Sequence, residues 1–181
     1  MNTTKFEIEG LVLIEPRKFH DDRGYFFESF NERIYQDLLG EETVFVQDNV
    51  SCSKMNVLRG LHFQLPPYTQ GKLVSVLKGK VLDVAVDLRK NSTTYGQHVS
   101  VELSAENGLQ FYVPPGFAHG FVSLEEDTLF SYKCTNYYSP SHEETLLWND
   151  DNLRIDWKCS FPIVSAKDIV GKKFNTFESL F

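Results

Sequence analysis

An all-β fold, a sandwich or barrel of many short strands, is what this sequence predicts, and three observations carry the expectation. Fifteen Phe and eight Tyr stand among 181 residues, with Gly and Pro scattered singly or in pairs between apolar runs, as in strand-and-turn proteins. From residue 11 onward the chain reads as a succession of short β-prone segments. In "KVLDVAVDL", Leu82, Val84, Val86 and Leu88 alternate with Asp83, Ala85 and Asp87, which puts a core on one side and a more polar surface or cavity on the other. Many short strands at this spacing suit a sandwich or barrel, the jelly roll among them.

The segments follow in order. "LVLIEP" (11–16), "GYFFESF" (24–30), "TVFVQDNVS" (43–51) and "NVLRGLHFQ" (56–64) are rich in β-branched and aromatic residues and bounded by turn formers. "KLVSVLKGKVLDVAVDL" (72–88) is long enough for two strands about Gly79, and "HVSVELS", "LQFYVP", "GFVSL" and "TLFSYKCTNYY" complete the set. Two stretches read as helical: "NERIYQDLLG" (31–40), closed by its glycine, and a weaker one near "SAKDIVGKKF" (165–174). No repeat, low-complexity tract or linker divides residues 1–181, so one domain is expected.

Charge and cysteine usage exclude several classes. The net charge of −7 is spread along the chain without a Lys/Arg cluster, which argues against nucleic-acid binding. A small anionic ligand remains compatible, because a few converging cations hold one against the global sign. Cys52, Cys134 and Cys159 make an odd count with no CxxC spacing, as expected of reduced thiols in the cytosol. The start "MNTTKFEIEG" lacks a signal-peptide core, and no stretch reaches membrane-span length. The expectation is a cytoplasmic protein with no membrane partner.

Polar residues inside "NVLRGLHFQ" need a reason. Strict alternation sends Arg59 to one face and His62 to the other, so the two share a site only if Gly60 marks a bulge that re-aims its neighbours. His62 on its own reads as metal ligand, base or core histidine. A second cluster, "VPPGFAHGF", uses two prolines and a glycine to present His119 at the start of a strand. Two turn-anchored histidines together favour a shared cavity over two separate packing roles.

"GLQFYVPPGFAHGFVS" resembles the second cupin signature, with Gly108, Pro114, Gly116 and His119 in the signature's spacing. The resemblance implies a cupin-type jelly roll with a few short helices. The first signature departs from the pattern: His62-Phe63-Gln64 replaces His-x-His, and Lys72 stands where a ligating glutamate belongs, seven residues before Gly79. A protonated lysine cannot ligate and repels a divalent cation, so no metal and no other cofactor is expected.

The order of "FHDDRGYFFESF", "FVQDNVS", "NVLRGLHFQ", "QGKLV", "DVAVDLRKNSTTYG", "LSAEN", "VPPGFAHGF", "YKCTNYYSP", "LWND" and "SAKD", from residue 19 to 168, resembles a non-metal branch of the cupins, the dTDP-4-dehydrorhamnose 3,5-epimerases. The resemblance implies inversion of C3 and C5 beside the 4-keto group of a dTDP-linked 6-deoxyhexulose. A neutral histidine, with an unperturbed pKa of about 6.5, suits the base. His62 takes that place, with Asp168 behind it, Lys72 at the enolate oxygen and Tyr132 as the acid on the opposite face. Arg23, Arg59 and Lys167 are implied for the diphosphate and sugar, with Glu28, Gln47, Asp48, Asn49, His119 and Glu143 as further polar contacts. Tyr138 is implied to stack on thymine. The family likewise implies a homodimer in which Arg23 and Glu28 reach the neighbouring site through an exchanged N-terminal strand. Three rivals stand beside this reading: an epimerase of C3 or C5 alone, a metal-dependent cupin, and a non-catalytic sugar-nucleotide sensor.

Overall fold

A computed structural model describes residues 1–181. The elements run β1 (Asn2–Lys5), β2 (Val12–Glu15), β3 (Phe19–Asp21), β4 (Gly24–Phe26), α1 (Glu32–Leu39), β5 (Gln47–Ser53), β6 (Val57–Gln64), β7 (Lys72–Lys78), β8 (Lys80–Asp87) and β9 (His98–Ser104). They continue with β10 (Gln110–Val113), β11 (Phe117–Ser123), β12 (Thr128–Cys134), β13 (Glu143–Thr145), β14 (Ile163–Val164) and α2 (Ala166–Ile169). One sheet has the order β1-β2-β10-β7-β12-β5. The other has the order β13-β6-β11-β8-β9, with β14 running parallel to β6 along its free end. From β5 to β12 consecutive strands alternate between the two sheets, apart from the β8–β9 pair, as in a jelly-roll sandwich.

The sheets bury an apolar layer between them. Val74, Val76, Phe111 and Phe130 from the first sheet meet Val81, Ala85, Phe117 and Phe121 from the second, and Phe121 stacks on Phe130 with centroids 4.1 Å apart. Burial of side chains of this size stabilises by about 1.5–3 kcal/mol each.

The alternation of β8 resolves in a way its sequence only half indicates. Asp83, Ala85 and Asp87 face the interior of the sandwich and are fully buried, whereas Leu82, Val84, Val86 and Leu88 point away from it. That outer face is a second core. Leu146, Leu153, Trp157 and Phe177 of the C-terminal segment cover it, and Trp157 is fixed there by its Nε1 donating to Trp148 O at 2.8 Å. The C-terminal segment thereby brings α2 over β6.

Helix α1 follows its sequence signals. Asn31 Oδ1 accepts from Ile34 N, and the chain turns out at Gly40, where φ is +111°, a conformation glycine adopts without strain. Its buried Tyr35 packs on Val12, Ile14, Leu73 and Tyr112 of the first sheet and its hydroxyl bonds Gln110. Between β2 and α1 the hairpin β3–β4 projects from the body and leaves Phe19, Tyr25 and Phe26 more than half exposed. No helix is long and apolar enough to cross a membrane.

Candidate active site

The bulge that the sequence requires for Arg59 and His62 to share a site is present. His119 pairs with His62 and Phe121 with Arg59, so three steps along β6 answer two along β11, an extra residue that turns both side chains to one cavity. Gly60 makes this feasible. Its φ is +137°, and a Cβ there would lie 2.5 Å from Gly120 Cα, so the two strands approach too closely for any other residue.

The cavity holds about 560 Å³ and opens between the sheets. From β6 come Arg59 and His62, from β11 His119, from β7 Lys72, from β12 Tyr132, and from the C-terminal segment Lys167 and Asp168. A smaller annex of about 100 Å³ adds Gln47, Asn49, Gln64, Cys134 and Tyr138. His62 and Tyr132 belong to different sheets and so stand on facing walls.

His62 Nε2 lies 2.5 Å from Asp168 Oδ1, across 106 residues of sequence. Ser165 caps α2, its Oγ accepting from Asp168 N, and so presents a carboxylate only 3% exposed. Burial pushes the Asp168 carboxyl up, but the hydrogen bond from His62 and the neighbouring Gly60 amide outweigh it and hold the group below the usual carboxylate range. A charged Asp168 fixes the Nε2–H tautomer, leaving Nδ1 as the accepting nitrogen.

Behind this pair lies a second one. His119 Nε2 sits 2.9 Å from both oxygens of the fully buried Asp83. Burial pushes His119 down, against the attraction of Asp83 and with the repulsion of Lys72 and His62, so it stands as a neutral donor to Asp83. Lys72 reaches past it, its Nζ 3.5 Å from His62 O. Burial lowers the Lys72 pKa, while Cys134, Asp83 and Glu143 pull it up. On the strand beside Lys72, across the cavity from His62, burial, with Cys134 and Glu143, raises the Tyr132 phenol despite Arg59, which keeps its proton in place at neutral pH.

Glu143 ties the mouth together. Its Oε2 takes a 2.7 Å hydrogen bond from Tyr138 Oη and lies 2.5 Å from Lys167 Nζ. Burial raises the Glu143 carboxyl, but the Lys167 and Tyr138 hydrogen bonds outweigh it and hold the group low. Gln47 Oε1 receives the Tyr138 backbone amide at 3.0 Å, and Gln47 Nε2 donates to Asn49 at 3.0 Å.

Three expected residues lie elsewhere. Asp48 belongs to the outer face of β5, between the inward Gln47 and Asn49, and its carboxylate pairs with Lys133 Nζ at 2.9 Å; strand alternation removes it from the cavity of this chain. Arg23 pairs with Asp21 at the tip of the exposed hairpin, and Glu28 accepts from Asn31 Nδ2 at 3.1 Å. Neither Arg23 nor Glu28 lines the cavity of its own chain. Ser51, Ser165, Ile163 and Val164 complete the wall without having been singled out in the sequence; the last two follow from β14 docking beside β6, a pairing too short to leave a periodic signal.

No three His, Cys, Asp or Glu side chains converge as metal ligands would. A histidine paired with a carboxylate and a tyrosine on facing walls, with a lysine lining the same cavity, are groups able to move a proton off one face of a carbon and return it to the other. On this fold they define a cupin-type epimerase. The family model for dTDP-4-dehydrorhamnose 3,5-epimerase matches residues 5–176, and the chain belongs to that family. It is 54% identical over 169 residues to the dTDP-4-dehydrorhamnose 3,5-epimerase of Salmonella typhimurium, covering 93% of this chain and 92% of that one. The crystal structure of the enzyme of that name from Elizabethkingia anophelis superposes with a TM-score of 0.92 at 51% identity, covering 97% of each chain. The Legionella pneumophila dTDP-6-deoxy-D-glucose-3,5-epimerase, solved with dTDP-4-keto-L-rhamnose, gives a TM-score of 0.94 at 49% identity, covering 98% of this chain and 94% of the other.

Proposed function

We propose that this chain converts dTDP-4-dehydro-6-deoxy-α-D-glucose to dTDP-4-dehydro-β-L-rhamnose by proton exchange at C3 and C5. The observation that carries the reading is the His62–Asp168 pair facing Tyr132 across one cavity, with Lys72 lining the same cavity. His62 Nδ1 takes the proton from C3, and the C–H electrons pass into the C4 carbonyl to give an enolate. Asp168 stabilises the imidazolium so formed. The Lys72 ammonium faces the enolate oxygen, where one donor is worth about 2.7–4 kcal/mol. Tyr132 then returns a proton to the opposite face of C3 and leaves as phenolate. Both groups exchange protons with solvent, and the same cycle inverts C5. Nothing in this sequence of steps is oxidised or reduced.

The nucleotide handle is assigned to the mouth. Arg59 and Lys167 hold the diphosphate, the arginine donating in pairs, and Tyr138 carries the thymine ring with Gln47, Asn49 and Glu143 around it. Arg23 and Glu28 are proposed to serve the cavity of a second copy in a homodimer. The exposed position of Arg23 at the turn of a hairpin with outward Phe19, Tyr25 and Phe26, and of Glu28 just after it, supports that reading. Localisation in the cytoplasm belongs to the same proposal.

Paired variants test it. His62→Ala and Tyr132→Phe are expected to lose turnover by at least about a thousandfold while binding dTDP as the wild type does. Near-normal turnover in His62→Ala would remove the base from the mechanism.

A further inference from the structure

Ser51 stands in the cavity wall with a hydroxyl that nothing in the protein satisfies. Its Oγ is buried and has no hydrogen-bond partner, although the residue lines the cavity beside Arg59 and Phe130. An unmade hydrogen bond of this kind carries a desolvation cost that native folds seldom keep without cause. The hydroxyl turns on a single torsion among staggered wells, so a rotation about Cα–Cβ swings it from its buried position toward the space that the residue lines.

Strand register says what would meet it there. Inward side chains stack in levels along the cavity: Cys134 opposite Lys72, then Tyr132 opposite Asn49, then Phe130 opposite Ser51. On the facing sheet His62 lies opposite His119, and Arg59 opposite Phe121 one level on. Successive inward positions on a strand are about 6.7 Å apart, comparable with the span of a pyranose ring. A ring with its C4 oxygen toward Lys72 and its C3 and C5 between His62 and Tyr132 therefore carries C1, the carbon across from C4, toward the level of Ser51 and Arg59. Arg59 is held at this level, its Nε donating to Ser53 Oγ at 3.1 Å and its Nη2 to Cys52 O at 3.2 Å. The remaining guanidinium donors are free for an anion.

We infer that Ser51 is a substrate-positioning residue whose hydroxyl donates to the sugar-linked phosphate, next to Arg59. The contact sets the depth at which the ring meets His62 and Tyr132. This rests on the epimerase reading and deepens it.

The test compares two nucleotides by calorimetry, since dTDP carries a phosphate in the sugar-linked position and dTMP does not. Ser51→Ala is expected to bind dTDP about tenfold more weakly than wild type and dTMP equally well, with kcat/KM for the nucleotide sugar falling by a similar factor. Ser51→Thr, which keeps the hydroxyl on a strand-compatible residue, is expected to restore dTDP affinity. Unchanged dTDP binding in Ser51→Ala, or equal losses for both nucleotides in Ser51→Ala and Ser51→Thr, would overturn the inference. Wild-type protein that bound neither nucleotide would overturn the epimerase reading beneath it instead.

Discussion

Asp168→Asn changes a charge and almost no volume, which makes it the sharpest probe of the proposed catalytic pair. The carboxylate lies 2.5 Å from His62 Nε2 with 3% of its side chain exposed, against 28% for the histidine. When His62 takes a proton, imidazolium and carboxylate charges stand about 4 Å apart, and at an effective dielectric of about 20 their attraction is about 4 kcal/mol. Loss of that attraction in the transition state lowers kcat about a thousandfold. An asparagine amide turned toward Nε2 would add to the loss by selecting the wrong tautomer. Single-turnover exchange of substrate protons with deuterated solvent reads the chemical step directly, and dTDP affinity serves as the control. Retention of more than about a tenth of the wild-type exchange rate, with unchanged folding, would show that the pair does not stabilise the charged base.

Two further variants probe the frame that holds the site. Gly60→Ala places a Cβ 2.5 Å from the Gly120 backbone at a φ of +137°, so it is expected to lose about 2 kcal/mol or more of stability, read as a fall in denaturation midpoint; an unchanged midpoint would contradict the close approach of β6 and β11. Asp87 is fully buried, yet Arg89, Ser92 and Thr94 outweigh the effect of burial and hold its pKa at about 2. Relative to an unfolded value of about 3.9, the depressed pKa contributes about 2–3 kcal/mol that is present above pH ~4 and lost as the pH falls through ~2. Unfolding free energies across that window should fall more steeply for wild type than for Asp87→Asn, and parallel curves would refute the assignment.

Local chemistry made most of the strands and the first helix legible. The β-prone runs between turn formers correspond to β2 and to β5–β12, the run over 24–30 is a strand only at Gly24–Phe26, and Asn31 and Gly40 bracket α1. Periodicity failed where long-range packing decides. The apolar face of β8 gives no sign of whether it meets the opposite sheet or the C-terminal segment, because its partners Trp157 and Phe177 lie some seventy or more residues away. The strand β1 is polar and exposed throughout, and β3, β13 and β14 are too short to carry alternation.

At the site, the value of Gly60 was readable only as a condition: Arg59 and His62 could meet if the strand bulged there, and pairing with β11 makes it do so. Glu143, expected only as one further polar contact, is the hub joining Tyr138 and Lys167. Asp48 points outward in this chain, because side chains along β5 alternate and its neighbours Gln47 and Asn49 face inward. Ser51 gave no signal at all, since a serine in a β-strand is distinctive only once its missing partner is seen.

The most direct measurement follows deuterium from solvent into dTDP-4-dehydro-6-deoxyglucose by NMR, using chelator-treated protein assayed by itself. Label at both C3 and C5, with inversion at each, is the predicted result. Label at one carbon alone would confine the chemistry to a single-site epimerase, and label at neither would contradict the assignment of His62, Lys72 and Tyr132 to proton transfer.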